Sequence, residues 1–207
     1  MNVKSRHHLR ADAIADIEDA VSEQLGVEID ADSYEKVEFE DSDWDVVLVD
    51  GEPLVLYVEG EAGSASERSS AERSSADHSG GPRGGEAASN GTAEPSPSPR
   101  EDGDAAEDEP FLTVEGANAY PPERNVVTVD AGAISFVSDG ADVMRPGIVE
   151  ADDSIAAGDL VAINEEGHGK FLAVGRAKTD GDDMVGDSGK VVESIHHVGD
   201  DLFEFSV

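Results

Sequence analysis

The chain has 207 residues, of which 48 are aspartate or glutamate and 14 are lysine or arginine, so its formal net charge is −34. The absence of cysteine excludes disulfides and thiolate metal sites. No apolar run approaches the ~18 residues of a membrane span, and the first residues turn acidic where a secretion signal is apolar, so we expect a cytoplasmic protein.

Residues 1–60 predict a small α/β domain. The segment RADAIADIEDAVSEQLG is periodic as a helix that ends at Gly26. Its apolar face carries Ile14, Ile17, Val21 and Leu25. SYEKVEFE alternates as a strand, and WDVVLVDGEPLVLYVE predicts two strands around a turn at residues 50–53. Because a unit of this size forms a marginal core, we expect it to pack on another part of the chain and to be completed by about residues 110–125.

Residues 61–109 differ from the rest of the chain. They contain no Val, Ile, Leu, Met or aromatic residue and consist largely of Ser, Gly, Ala, Pro and charged residues. Such a segment cannot bury enough apolar surface to offset the entropy lost on ordering. We expect a disordered acidic insertion.

The remaining residues are rich in short strands. NVVTVD predicts a strand, and AGAISFVSDGA a short helix with Ile134 and Val137 on one side and an end at Gly140. GDLVAINEEGHGKFLAVGRAK predicts a hairpin, and GKVVESIHHVGDDLFEFSV two more strands around residues 199–200. Five or six short strands with one early helix indicate a small, partly closed β-barrel, so the whole chain is assigned to the α+β class.

No pattern indicates catalysis or metal binding. The nucleophile-elbow, phosphate-loop and dinucleotide-binding patterns are absent, and with 48 acidic residues carboxylate pairs arise by chance. Neighbours in a strand point to opposite faces, so neither His7-His8 nor His196-His197 forms a two-ligand site by itself. We expect no cofactor, no metal and no enzymatic activity, and one packed and one exposed histidine in each pair.

The basic residues are scarce, and at two places they either bind phosphate or have no binding role. The densest positive cluster comprises Lys4, Arg6, His7, His8 and Arg10. It either faces phosphates or is a solvated end of the chain. Arg145, the single basic residue between Arg124 and Lys170, either binds phosphate or pairs with a neighbour such as Asp142. Met144 beside it either fills the core or packs on a base or sugar.

The excess of acidic residues extends along the whole chain. In dilute buffer such charges repel one another, whereas at about 1 M salt the Debye length is about 3 Å and the repulsion largely disappears. The competing interpretation, an acidic disordered protein, does not fit the good apolar periodicities. The composition predicts a halophilic source.

Two sets of motifs carry a resemblance. VDAGAISFVSDGADVMRPGIVEADDSIAAGDLVAI, followed by FLAVGRA, resembles the PUA domain, an RNA-binding module named after pseudouridine synthases and archaeosine transglycosylases. It would span residues 126–207. Together with VKSRHHLR, VDGEP and IHHVGDDLFEF, the chain resembles the archaeal relatives of the malignant-T-cell-amplified-sequence and ligatin family of translation factors. It differs from that family in the insertion and in FLTV, where Leu112 stands at a position at which proline is common.

The resemblance implies an RNA surface made by the first PUA helix, the loop and strand after it, and the last strand. On this sequence the implied RNA-binding residues are Gly132, Ala133, Phe136, Gly140, Asp142, Val143, Met144, Arg145, Pro146, Gly147, His196, His197, Gly199 and Asp200. Glycines in this set would let a sugar-phosphate backbone approach main-chain N–H groups.

The function implied is that of a non-enzymatic, monomeric RNA-binding protein acting in translation. It would bind tRNA or small-subunit rRNA on the small ribosomal subunit, in a recycling or initiation-like role, with a density-regulated-protein-like partner as a candidate. Two alternatives are an accessory RNA-binding subunit of an RNA-modification enzyme and a protein-interaction module that uses the acidic insertion. The residues outside the PUA region leave too little room for a catalytic synthase domain.

Overall fold

Two β-sheets organise the protein in the computed structural model, which describes residues 1–40, 42, 44–59 and 108–205. The first sheet has the strand order β1-β2-β3-β4-β5 and is antiparallel throughout. Its strands are β1 (Val3–His8), β2 (Tyr34–Phe39), β3 (Asp45–Val49), β4 (Glu52–Val58) and β5 (Glu109–Leu112). All but the last two residues of the predicted insertion, 61–109, lie outside the described residues.

Helix α1 (Ala11–Leu25) covers this sheet as the sequence predicts. Its face of Ile17, Val21 and Leu25 is buried in the core. The helix ends where Gly26 adopts φ +69° and donates its N–H to the carbonyl of Ser22 at 2.9 Å, a left-handed cap for which glycine is suited. Strand β1, which the sequence pattern did not indicate, extends the sheet beyond β2.

The β3–β4 hairpin is tighter than the four-residue turn predicted for residues 50–53. Asp50 and Gly51 alone form the turn, with φ of +52° and +91°, and β4 begins at Glu52. Two left-handed residues in succession match the right-handed twist of the two strands. Pro53 is accommodated within β4 opposite Leu48.

Strand β5 returns the chain to the N-terminal sheet by pairing with β4. It is followed by α2 (Val114–Ala119), which begins where Thr113 Oγ1 accepts the N–H of Gly116 at 2.9 Å. Phe111 and Leu112 are fully buried in the core of this sheet. The assignment of domain boundaries near residues 60 and 126 stays a prediction.

Within the described residues the second sheet has six strands in the order β7-β11-β10-β9-β6-β8. Its strands are β6 (Val126–Val129), β7 (Val143–Met144), β8 (Ile148–Ala151), β9 (Leu160–Glu165), β10 (Phe171–Ala177) and β11 (Lys190–His197). The edge strands β7 and β8 are joined by a single 3-10 turn, Arg145–Gly147, so the two edges lie next to each other and the sheet is nearly closed. Helix α3 (Ile134–Ser138) lies between β6 and β7. This confirms the predicted α+β class with a C-terminal pseudo-barrel.

Strand β9 is buried on both faces, which explains its uninterrupted apolar run. Leu160 and Ala162 pack into the core shared with the N-terminal sheet, whereas Val161 and Ile163 face the interior of the second sheet. The alternation of a strand thus serves two cores. The expectation that the N-terminal unit packs on another part of the chain is confirmed.

The strand predicted after residues 199–200 is absent: residues 201–204 form turns. Asp200 prevents an extended backbone, because its Oδ1 accepts the N–H of Phe203 at 2.8 Å and its carbonyl accepts that of Glu204 at 3.0 Å. The turns direct Leu202 into the N-terminal core and set the ring of Phe205 edge-on against Phe39 at 4.9 Å. Among the described residues, no helix is long and apolar enough to cross a membrane.

Candidate nucleic-acid interface

The start of α3 and the turn Arg145–Gly147 lie against each other. The N–H of Asp130 donates to the carbonyl of Gly147 at 2.9 Å, and Asp130 Oδ1 accepts the N–H of Ala133 at 2.8 Å. A Cβ added at Gly147 would lie 2.8 Å from that of Ala133, so only glycine permits this approach. Two of the segments expected to form the surface are therefore in contact.

The third segment, the end of β11, adjoins the end of α3, whereas the start of β11 adjoins β7. Strand β7 pairs with β11, with Met144 opposite Lys190. His197 Nδ1 lies 3.0 Å from the carbonyl of Ser138 at the end of α3. Gly140 has φ +81°, and a Cβ there would lie 2.5 Å from His197 Nε2. Glycine is required at this position by both conformation and space.

Large apolar side chains are exposed on α3, on β7 and in the loop after β10. Phe136 on α3 is 65% exposed, Met144 on β7 48% and Val185 in the loop after β10 55%. The other large apolar side chains exposed in the described part of the chain are Met1, Val3 and Val149. The exposure of Met144 excludes the alternative that it fills the core. On an otherwise strongly acidic surface these three side chains are candidates for contact with a ligand.

Arg145 does not pair with Asp142, which was the neighbour named for one of its two alternatives. Its Nε donates to the carbonyl of Asp183 at 2.6 Å and its Nη1 to the carbonyl of Ser188 at 3.1 Å. Asp142 instead lies 3.1 Å from Lys190 Nζ and accepts the N–H of Ser194 at 3.0 Å. The Ser194 N–H and the Lys190 charge hold the pKa of Asp142 below its usual value, so this carboxylate stays charged.

A sequence model of the PUA domain matches residues 125–199, which contain the nearly closed sheet, α3 and the turn. These residues form a PUA domain. The resemblance stated from the sequence is thereby confirmed for this part of the chain.

Curated relatives match this chain over about half of their length. An uncharacterised protein of Methanocaldococcus jannaschii is 46% identical over 85 residues, which are 41% of this chain and 52% of the relative. Translation machinery-associated protein 20 of Saccharomyces cerevisiae is 34% identical and covers 48% of this chain and 59% of its own length. Malignant T-cell-amplified sequence 1-A of Xenopus laevis is 39% identical, and the match covers 45% of this chain and 54% of that protein.

The fold extends beyond the PUA domain in a solved relative. A hypothetical protein of the hyperthermophilic archaeon Pyrococcus horikoshii is 25% identical to this chain with a TM-score of 0.66, covering 98% of this chain and 100% of that protein. The N-terminal sheet and the PUA domain thus have a counterpart in a solved protein that matches nearly the whole of this chain.

Two predicted contact residues of the PUA domain are wrong as side-chain contacts. Val143 is 2% exposed and packs inside the PUA core, and His196 is 0% exposed. His196 packs edge-on against Trp44, with ring centroids 5.9 Å apart, and so faces the N-terminal sheet rather than solvent.

Asp200 forms hydrogen bonds at the end of β11. Asp200 Oδ2 lies 2.7 Å from His196 Nδ1 and accepts the N–H of His197 at 2.9 Å. Burial raises the pKa of Asp200, but the hydrogen bond and charge of His196 and the main-chain N–H groups of Phe203 and His197 outweigh it, and the pKa lies below its usual value. The Asp200 carboxylate is therefore a structural acceptor.

The N-terminal basic cluster lies on β1, at the edge of the first sheet. Arg6 forms an ion pair with Glu35, His8 Nε2 lies 3.5 Å from the same carboxylate, and Lys4 Nζ lies 3.8 Å from Glu38. These partners favour the alternative of a solvated strand edge, and a phosphate-facing role of the cluster stays a prediction. Both His7 and His8 are exposed, which corrects the expectation of one packed histidine in that pair. In the described part of the chain no group of three His, Asp or Glu could hold a metal ion.

Sequence reasoning missed the loop of residues 181–189 between β10 and β11. Its signal is the pair Met184-Val185 within a stretch of glycine, aspartate and serine. Met184 is fully buried and Val185 is exposed, so the pair combines an anchor with an exposed apolar tip.

Proposed function

We propose that this protein is a non-enzymatic RNA-binding protein that acts in translation and binds RNA through its PUA domain. The RNA-binding surface consists of the start of α3, the turn Arg145–Gly147 and the adjoining end of β7. The observation that carries this proposal is the exposure of two large apolar side chains, Phe136 on α3 and Met144 just before the turn, on segments that Gly147 allows to approach closely.

The chemistry of this surface favours unpaired bases over the phosphate backbone. An aromatic ring stacks on any base, and a base–aromatic stack contributes about 1–3 kcal/mol. The nearby cations are engaged, since Lys190 Nζ lies 3.1 Å from Asp142 and Lys178 Nζ lies 2.6 Å from Glu193. Phosphate attraction is therefore weak here, and affinity comes from stacking, shape and main-chain hydrogen bonds.

The role in translation rests on the relatives, one of which is named a translation machinery-associated protein. We infer that tRNA or small-subunit rRNA is the ligand, with the small ribosomal subunit as the site of action. The same proposal includes a density-regulated-protein-like partner and a monomeric protein. It also places the protein in a cytoplasm rich in salt.

Phe136→Ala tests the proposal. Titration of total tRNA and of small-subunit rRNA at molar potassium chloride should show the variant binding about 5- to 100-fold more weakly, the equivalent of one lost stack. The melting temperature should stay unchanged because the ring is exposed. Val149→Ala, which removes another exposed apolar side chain from the PUA domain, is the control. Failure of the wild-type protein to bind either RNA would exclude the proposed function.

A further inference from the structure

The loop between β10 and β11 is held against the turn of the PUA surface by one side chain. Arg145 donates from Nε to the carbonyl of Asp183 at 2.6 Å and from Nη1 to that of Ser188 at 3.1 Å. Its own N–H donates to the carbonyl of Gly189 at 2.9 Å. The three bonds reach both ends of residues 183–189, so the loop closes around the arginine.

The loop main chain runs close along this side chain. A Cβ added at Gly186 would lie 3.2 Å from Arg145 Cδ, and one at Gly189 would lie 3.2 Å from Nη1. Gly189 also has φ +109°, which side chains with a Cβ rarely adopt. The local sequence therefore fits an arginine enclosed by main chain.

The base of the loop is fixed and its tip is exposed. Gly181 donates its N–H to the carbonyl of Ile155 at 2.9 Å, and Met184 is fully buried in the PUA core. Val185, the next residue, is 55% exposed. An apolar side chain held out by an anchored loop is available to a ligand that already contacts Met144, the neighbour of Arg145.

We propose that residues 183–189 form a second wall of the RNA-binding surface, that Val185 contacts an unpaired base, and that Arg145 is a positioning residue for this loop. The inference rests on the proposed RNA-binding function. A base is favoured over a phosphate because the loop carries Asp182, Asp183 and Asp187, whose charges repel phosphates. Two of the three guanidinium nitrogens of Arg145 are already engaged with carbonyls.

The wall is tested with Val185→Ser and the matched control Val3→Ser, which alters a valine of similar exposure on β1. Binding is measured at molar potassium chloride with a single-stranded oligoribonucleotide and with a blunt duplex of the same sequence. Val185→Ser should weaken binding of the single strand by about threefold to tenfold, the scale of burying the exposed half of a valine side chain, and Val3→Ser should leave it unchanged. Equal affinities for wild type and Val185→Ser would overturn the wall, as would an equal loss in Val3→Ser.

The positioning role is tested by combining Arg145→Ala with Val185→Ser. If Arg145 acts through the loop, Val185→Ser has little further effect once the arginine is removed, and the salt dependence of binding is unchanged. Arg145→Lys should behave like Arg145→Ala, because an ammonium lacks the planar fork that spans two carbonyls. Amide hydrogen exchange at residues 184–188 should accelerate in Arg145→Ala but not in Val185→Ser.

A direct phosphate contact predicts different results. The two substitutions would then be additive, Arg145→Lys would retain most of the affinity, and Arg145→Ala would lower the slope of log affinity against log salt by about 0.7. Any of these outcomes overturns the positioning role. If the wild-type protein binds no RNA, the proposed function fails, whereas binding without an effect of Val185→Ser defeats the loop inference alone.

Discussion

Asp200→Asn should destabilise the protein because Asp200 organises the junction between the PUA domain and the N-terminal sheet. Its carboxylate accepts three hydrogen bonds, from His196 Nδ1 at 2.7 Å, the N–H of His197 at 2.9 Å and the N–H of Phe203 at 2.8 Å. An amide offers one acceptor oxygen and turns an N–H₂ donor toward the remaining donors. The substitution therefore leaves buried donors without a partner.

The expected cost is about 2–4 kcal/mol. A hydrogen bond to a charged group contributes about 1.5–3 kcal/mol, and His196 is fully buried, so water cannot replace the lost acceptor. For a chain of about this size the cost lowers the melting temperature by roughly 4–16 °C. The difference should depend on pH. Since the folded pKa of Asp200 is lowered, its contribution is complete above the unfolded pKa of about 3.9 and is lost as the pH falls through the folded value.

The assay is thermal unfolding at molar potassium chloride, followed by circular dichroism at several pH values from about 7 to about 2. Asp201→Asn is the matched control, because it removes the same charge from the adjacent, exposed position. The two variants should differ clearly at neutral pH and converge in acid. Equal melting temperatures for the two variants at pH 7 would show that the contacts of Asp200 do not stabilise the junction.

Two further predictions concern backbone geometry and salt. Gly140→Ala should lower the free energy of unfolding by about 2–4 kcal/mol and Gly51→Ala by about 1 kcal/mol, since both have positive φ but only Gly140 lies against His197. Denaturant titration checks this, and equal costs would contradict the contact. Lowering potassium chloride from about 1 M to about 0.1 M lengthens the Debye length from about 3 to about 10 Å, so circular dichroism should show a loss of structure. An unchanged spectrum would show that the acidic surface does not require salt.

The fold was largely predictable because its signals are local. Helix α1 is periodic because one of its faces is buried, and β9 is apolar throughout because both of its faces are buried. The prediction of a strand after β11 was wrong, and the physical reason is also local. Asp200 accepts the N–H of Phe203 with its side chain and that of Glu204 with its carbonyl, and these local contacts compete with extended backbone.

The candidate site was predictable as a set of segments but not as a set of side chains. The family resemblance assigned whole segments, and the structure brings the start of α3 against the turn and the end of β11 against the end of α3. Which side chains face outward depends on the register of β11, and this register shifts between residues 190 and 192. His196 is buried against Trp44, a residue that is distant in sequence. Likewise, the partner of Arg145 lies 38 residues ahead in the loop that sequence reasoning passed over.

The acidic composition and the RNA-binding role are compatible only if recognition does not depend on charge. A phosphate-binding surface gains affinity by releasing counterions, and this gain falls steeply with salt. In the PUA domain Lys178 and Lys190 are paired with carboxylates, and Arg145 is enclosed by loop carbonyls. The outward side chains of the proposed surface include three large apolar ones, Phe136, Met144 and Val185. Stacking and apolar contacts keep their strength in concentrated salt. The proposed surface is therefore suited to RNA binding in concentrated salt, and its affinity for RNA should change little with potassium chloride over the range in which the protein is folded.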